Sequence, residues 1–181
     1  WVNYDKNLRF TGVGSHGVLD NGYISFAISC AKWRNSNLHV ECEILKIFKK
    51  GASAIVVDRK EYVEYFNKPM LIVDDVNEAI KKVGMRIRQD IDCKTILIAG
   101  SVGKTGFKTQ LNHILSPIVN THAMINSANV KLPILYSLIS LKEQDEVEIV
   151  EVSGAAPFDV GVERSNIVNP NIVVFTNVSP N

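Results

Sequence analysis

The first half of the chain alternates short apolar runs with stretches in which apolar residues recur at helical spacing. Apolar runs of strand length occupy residues 23–28, 53–57 and 70–73. Between them, residues 41–50 and 60–66 show the spacing of amphipathic helices. Strands that alternate with helices are typical of layered α/β folds rather than of β-sandwiches. The pattern therefore predicts an α/β unit.

A third helix is predicted directly after Asp74 and Asp75, where an aspartate can accept hydrogen bonds from the free N–H groups of the first turn. Its apolar stripe consists of Val76, Ala79, Ile80, Val83 and Ile87. Polarity then rises across residues 88–94, before the next apolar run. We place a domain boundary there, which divides the chain into residues 1–92 and 93–181.

The second predicted unit is also α/β. It begins with a strand at residues 95–99, a glycine-rich turn and a helix at residues 104–115. The apolar stripe of that helix consists of Phe107, Leu111, Ile114 and Leu115. A polar stretch follows through Asn129. The remaining predicted elements are a helix at residues 132–141 and strands at residues 147–152 and 171–176.

The turn before the helix at residues 104–115 has the composition of a phosphate-binding loop. Gly100 and Gly103 let the backbone approach a ligand closely, and the helix start adds partial positive charge. Lys104 supplies a cation for the outer phosphates and Thr105 a hydroxyl for Mg²⁺. The predicted cradle consists of Gly100, Ser101, Val102, Gly103, Lys104 and Thr105. The alternative is a tight turn that contains Gly-Lys-Thr by chance, since the general motif has glycine in place of Ile98.

A phosphate loop of this kind also needs an acidic residue at the end of a neighbouring strand, which holds Mg²⁺ directly or through water. The strand at residues 147–152 carries Glu148 and Glu151. Glu151 lies near its C-terminal end, where ligands bind in open α/β sheets, and is predicted to be the magnesium residue. The alternative for Glu151 is an ordinary edge carboxylate. Glu148 is expected to be a solvated position.

Composition narrows the function only slightly. The chain has 181 residues, 46% hydrophobic and 22% charged, which suits one large domain or two small ones. A net charge of +1 gives no general attraction to nucleic acids or anionic membranes, so neither is an expected partner. The three cysteines and four histidines are too scattered to indicate disulfides or a metal cluster. No apolar run resembles a membrane span or a signal peptide, so a cytoplasmic location is expected.

Three segments together resemble the Mur ligase family, the ATP-dependent enzymes that add amino acids to UDP-N-acetylmuramoyl peptides. The segments read AGSVGKTGFKT at residues 99–109, EVS at residues 151–153 and FTNVSPN at residues 175–181. The family's loop also lacks glycine at the position of Ile98. The resemblance implies that Glu151 is the family's magnesium glutamate. It also implies that Asn177 lies near the γ-phosphate and the acyl substrate.

The resemblance extends to the first unit. Residues 21–28, 51–57 and 70–79 are similar to the small N-terminal domain of the branch that adds the third amino acid or the terminal dipeptide. In that branch this domain holds the uridine nucleotide. The EVS and FTN segments favour the third-residue ligase, whereas the single proline at Pro133 fits the dipeptide-adding ligase about as well.

The sequence departs from the family pattern in three respects. Gly106 replaces a second threonine or serine, and glycine costs a helix up to about 1 kcal/mol relative to alanine. Lys131 and Leu132 stand where the third-residue ligases have two threonines that contact the substrate. The chain ends at Asn181, one position before the family's histidine. We therefore expect an N-terminal fragment with a partial ATP-binding domain, inactive by itself.

The resemblance implies ATP and Mg²⁺ as cofactors, and a UDP-N-acetylmuramoyl-peptide-like substrate with an amino acid or dipeptide as partners in peptidoglycan synthesis. The γ-phosphate would pass to a substrate carboxylate, and an amine would then displace phosphate from the acyl phosphate. The expected catalytic residues are Lys104, Glu151 and Asn177, with Thr105 and Glu151 at the metal. Two alternatives stay open: a nucleotide- or nucleotide-sugar-binding module without ligase activity, and a Mur-like ligase of another pathway.

Overall fold

The computed structural model describes residues 1–14, 19–27, 38–124, 131–152 and 158–178. The chain divides into two compact units, Trp1–Ile80 and Lys81–Asn181. This division falls inside a helix, whereas the sequence places the boundary after residue 92. Each unit contains a parallel sheet accompanied by helices, which confirms the predicted α/β class. The roles assigned to residues 1–92 and 93–181 remain predictions.

The first unit is built on a small parallel sheet. Its elements are β1 (Gly12–Gly14), β2 (Tyr23–Phe26), α1 (Leu38–Lys49), β3 (Ala54–Val57), α2 (Glu61–Tyr65), β4 (Met70–Ile72) and the first turn of α3 (Val76–Asp90), whose later residues belong to the second unit. The strands pair in the order β1-β2-β3-β4. All four residues of β3 are buried, as is usual for an inner strand of a parallel sheet.

The start of α3 follows the prediction. The Asp75 carboxylate accepts hydrogen bonds from the backbone N–H groups of Asn77 (2.7 Å) and Glu78 (3.1 Å). These bonds satisfy two donors that the first turn of a helix would otherwise leave unpaired. Val76 and Ile80, on the predicted apolar stripe, are fully buried.

The second unit contains another four-stranded parallel sheet. Its elements are β5 (Lys94–Ala99), α4 (Lys104–Leu115), β6 (Thr121–Ala123), α5 (Lys131–Ile139), β7 (Val147–Glu151), α6 (Phe158–Val168) and β8 (Ile172–Phe175). The strands pair in the order β6-β7-β5-β8. Its buried apolar residues include Leu97, Ile98, Ile134, Leu135, Leu138, Ile139, Ile149, Val150, Ile167 and Val168.

Within the described part of the chain, no helix is long and apolar enough to cross a membrane.

The strand order of the second unit determines where a ligand can bind. β5 lies between β7 and β8, so the chain first runs to one side of β5 and later crosses to the other. Ile98 of β5 pairs with Glu151 of β7, and Ala99 pairs with Phe175 of β8. The carboxyl ends of three strands therefore meet at the glycine-rich turn, and such a reversal of strand order is where open α/β sheets bind ligands.

Three elements are absent from the sequence prediction. β1 and β6 have three residues each, which is too short for a period of two to be recognised. In α6, charged and small residues interrupt the apolar positions, and no helical stripe stands out. The other predicted strands and helices occur within a few residues of their expected bounds, and α4 has the bounds that the sequence predicts.

Candidate functional site

The turn between β5 and α4 requires glycine at two positions. Gly100 has φ +135° and Gly103 has φ +83°, values that side chains with a Cβ rarely adopt. A Cβ at Gly100 would also overlap the hydroxyl of Thr176, which follows β8. Gly103 immediately precedes the first turn of α4. Gly100 therefore allows the loop to lie close to the end of β8, and Gly103 allows the chain to enter the first turn of α4.

Lys104 lies folded over this loop. Its ammonium donates hydrogen bonds to the carbonyl oxygens of Gly100 (2.7 Å) and Ser101 (3.2 Å). A phosphate placed over the loop would offer the same ammonium a charged acceptor, which forms a stronger hydrogen bond than a neutral carbonyl. The Lys104 ammonium therefore already lies at the loop where the sequence predicts that it contacts the outer phosphates.

The segment after β8 holds the other side of the loop. The Asn177 side-chain oxygen accepts hydrogen bonds from the backbone N–H groups of Ser101 (3.2 Å) and Val102 (2.9 Å). The Thr176 hydroxyl donates to the carbonyl oxygen of Val102 at 2.6 Å. Two loop N–H groups therefore converge on one oxygen acceptor, which is the geometry that a phosphate oxygen requires. Asn177, which the resemblance places near the γ-phosphate, lies in direct contact with the loop.

Glu151 is reached from α4 by two side chains. The Thr105 hydroxyl donates to Glu151 Oε1 at 3.2 Å. The Lys108 ammonium lies 3.1 Å from Glu151 Oε2, and the two side chains are only 7% and 1% exposed. Glu151 is therefore not an ordinary edge carboxylate. It is a buried, charge-compensated group at the carboxyl end of β7.

Lys108 is the residue of this site that the sequence analysis missed. The predicted apolar stripe of α4 contains Ile114, but Ile114 is 61% exposed and the buried side chain of this helix is Lys108. The predicted stripe contains only hydrophobic residues, and a lysine is rarely buried unless it is paired. Its position three residues after Thr105 was the available signal, because residues i and i+3 share a helix face.

Glu148 contradicts the expectation that it is solvated. Its side chain is fully buried and accepts hydrogen bonds from the hydroxyls of Thr95 (3.0 Å) and Ser137 (3.1 Å). Burial raises the pKa of Glu148 to about 7, and the two hydrogen bonds oppose that rise. Thr95 pairs with Glu148 at the amino end of β5, away from the loop. Glu148 is therefore part of the core and not of the loop site.

The oxygen groups beside the loop fit a hard divalent cation. Glu151 Oε2 is buried and has no hydrogen-bond partner among the described residues, since Lys108 approaches it outside hydrogen-bond geometry. With the Thr105 hydroxyl it offers the oxygen donors that Mg²⁺ prefers. In the described ranges there is no group of three or more His, Cys, Asp or Glu able to hold a metal. A cation bound by Glu151 and Thr105 would take its remaining ligands from a bound phosphate and water, as Mg²⁺ commonly does.

A cleft of about 430 Å³ lies beside the loop. It is lined by Gly103, Gly106, Phe107, Gln110, Val174, Phe175 and Thr176. A Cβ at Gly106 would meet nothing within 4 Å, so the packing around α4 does not require glycine at this departure from the family pattern. A second cavity of about 480 Å³, near Arg88 and Asn171, contains none of the predicted site residues.

Some sequence predictions lie outside the described residues. These are Ser153 of the EVS segment, residues 179–181, and the side chains of Lys131 and Leu132. The structure brings together Lys104, Thr105, Glu151 and Asn177 around the loop formed by residues 100–103.

Comparison with known proteins gives concordant matches. Residues 98–181 match the Mur ligase middle domain. The chain is 26% identical over 142 residues to the UDP-N-acetylmuramoyl-tripeptide--D-alanyl-D-alanine ligase of Buchnera aphidicola, covering 78% of this chain and 30% of that ligase. The ligase of the same name from Rickettsia prowazekii is 30% identical over 130 residues, covering 72% and 28%. The chain thus spans less than a third of the length of these relatives.

Solved structures share the fold. MurF from Acinetobacter baumannii aligns with a TM-score of 0.73 at 20% identity, covering 93% of this chain and 35% of that chain. MurF from Thermotoga maritima, solved in complex with ADP, aligns with a TM-score of 0.64 at 20% identity, covering 96% and 39%. These matches confirm the resemblance predicted from the three sequence segments.

Proposed function

We propose that this chain, of which residues 98–181 match the Mur ligase middle domain, provides the ATP-phosphate site of an ATP-dependent amide ligase in peptidoglycan synthesis. The observation that carries the proposal is the convergence of Lys104, Thr105 and Glu151 at the glycine-rich loop. The similar curated proteins are named as ligases for D-alanyl-D-alanine. Their names favour the dipeptide-adding branch over the third-residue branch that the sequence left open.

In this proposal the loop changes partners when ATP binds. The N–H groups of Ser101 and Val102 leave the Asn177 side chain and bind phosphate oxygens instead. The N–H groups of Gly103 to Thr105 bind phosphate oxygens as well. Lys104 leaves two loop carbonyls and contacts the transferring phosphate. Each exchange replaces a neutral acceptor by a charged one, so the interactions strengthen when the nucleotide is present.

The proposed reaction has two steps. A substrate carboxylate oxygen attacks the γ-phosphorus of ATP, the bond to ADP breaks, and an acyl phosphate forms. An amine then attacks the acyl carbon, phosphate leaves, and the nitrogen loses a proton to give an amide. Chemistry of this kind depends mainly on positioning and charge neutralisation, which the loop donors and Lys104 would supply.

Thr105 and Glu151 are the proposed ligands for Mg²⁺. When bound, Mg²⁺ neutralises charge on the phosphate oxygens. The first unit is the proposed site of the uridine nucleotide, with residues 1–92 and 93–181 as the two functional parts. A cytoplasmic location belongs to the same proposal, since the reaction consumes ATP.

Calorimetric titration of Mg·ATP into the chain tests the proposal. Wild type should bind, Lys104→Ala should lose binding, and the exposed Lys82→Ala should bind like wild type because it removes a lysine far along the sequence from the loop. Circular dichroism establishes that each variant is folded. A folded wild-type chain that does not bind Mg·ATP refutes the proposal. Binding of a uridine nucleotide alone would then favour a nucleotide-sugar-binding module.

A further inference from the structure

The buried Lys108 has no place in the reaction proposed above. Within α4, all of which the structure describes, it is the buried side chain, and its head group lies against Glu151. Lysine is almost never fully buried unless it is paired, because an uncompensated charge in the interior is strongly unfavourable. The pairing therefore has to be considered together with what Glu151 does.

Lys108 and Thr105 hold the two oxygens of one carboxylate. Thr105 donates to Oε1 at 3.2 Å, and the Lys108 ammonium lies 3.1 Å from Oε2. Because the two residues are three positions apart on α4, both extend from the same helix face towards the end of β7. These two contacts orient the Glu151 carboxylate so that Oε1 lies beside the Thr105 hydroxyl in the first turn of α4.

The same pair sets the charge of the metal position before a nucleotide arrives. The positive charge of Lys108 compensates the carboxylate of Glu151, and Lys104 adds another positive charge at the loop. Among the described side chains at this position, a free divalent cation would therefore find no net negative charge. The phosphates of a nucleotide would bring that charge with them.

We infer that Lys108 is a positioning residue that orients Glu151 and prevents a divalent cation from binding before the nucleotide. This inference rests on the proposed function and adds an order to it, in which the cation enters together with the polyphosphate. Lys108 touches neither nucleotide nor metal in this role. It acts through Glu151.

Titration with Mn²⁺, followed by electron paramagnetic resonance, tests the inference on the nucleotide-free chain. Lys108→Met should bind Mn²⁺ about tenfold or more tightly than wild type, because a positive charge next to the carboxylate is gone. Lys108→Arg keeps the charge and should behave like wild type. The double variant Lys108→Met with Glu151→Gln should lose the gain, which assigns the new binding to Glu151.

Equal Mn²⁺ affinity in folded wild type and folded Lys108→Met would overturn the inference and leave Lys108 with a purely structural role. If Lys108→Met does not fold, Mn²⁺ titration of the wild-type chain tests the inference. Tight binding of Mn²⁺ without nucleotide, lost in folded Glu151→Gln, would also overturn it. None of these titrations contains ATP, so failure of Mg·ATP binding refutes the proposed function separately.

Discussion

Replacement of the buried Glu148 by glutamine should flatten the pH dependence of stability in the second unit. Burial raises the pKa of this carboxyl from 4.5 to about 7 in the folded protein. Between these values the folded chain keeps a proton that the unfolded chain has released. The stability that the neutral carboxyl contributes is therefore complete below about pH 4.5 and is lost as the pH rises through about 7.

The size of the effect follows from the difference between the two pKa values. At about 1.4 kcal/mol per pKa unit, the change from 4.5 to about 7 corresponds to about 3 kcal/mol. Because the side chain is fully buried, solvent screening does not reduce this figure greatly. Glutamine has nearly the same shape, and its amide can remain hydrogen-bonded to the hydroxyls of Thr95 and Ser137, which rotate freely between donating and accepting.

Urea unfolding at about pH 5 and about pH 7.5 measures the pH dependence of stability. Hydrogen exchange of peptides from β7 serves as the probe, because it reports on the second unit. His122 pairs with Glu148 in register and has a pKa lowered by burial, so it changes stability in the opposite direction. Asp145, Cys93 and Arg88 also interact electrostatically with Glu148. The part of each titration that does not depend on Glu148 cancels when the Glu148→Gln curve is subtracted from the wild-type curve, and the coupled part belongs to the effect being measured.

The exposed Glu143→Gln is the matched control, and its stability curve should run parallel to that of wild type. If Glu148→Gln also runs parallel to wild type across this pH range, the reasoning from burial to proton linkage is wrong.

Three further substitutions test the loop and the residues beside it. Gly100→Ala should destabilise the second unit by about 1–3 kcal/mol and abolish Mg·ATP binding, because its Cβ would overlap the Thr176 hydroxyl. Gly106→Ala, which has open space, should be neutral or stabilise by up to about 1 kcal/mol, and equal thermal melts for the two alanine variants would contradict this account. Asn177→Asp should weaken Mg·ATP binding by about tenfold or more, since a carboxylate competes for the loop N–H groups and repels phosphate. Unchanged affinity in calorimetry would show that Asn177 stays clear of the bound nucleotide.

Features encoded locally could be predicted from the sequence. The bounds of α4 follow from Gly103 before its first turn and from the periodicity after it. The cap of α3 follows from Asp75 and its position just before the apolar stripe. Both depend on residues within a few positions of one another, so the sequence alone contains the necessary information.

Features that depend on distant partners could not be predicted in the same way. Glu148 is buried because Thr95, 53 positions away in the sequence, supplies a hydroxyl across the sheet. Lys108 is buried because it pairs with Glu151, and the sequence indicates that Glu151 ends a neighbouring strand but not that Lys108 reaches it. A charged residue looks like a surface residue until its partner is known, and tertiary pairing decides both cases.

The hydrogen bonds between Asn177 and the loop affect the order in which the site forms while the chain is synthesised on the ribosome. Asn177 emerges 75 residues after Val102, to whose N–H group it bonds. At about 5–20 residues per second, the loop and α4 would wait on the order of 4–15 s for this partner. The proposed nucleotide site would therefore be completed late, after the earlier strands have already had time to pair. A nascent chain that stops before Thr176 would lack the contacts that Thr176 and Asn177 make with the glycine-rich loop.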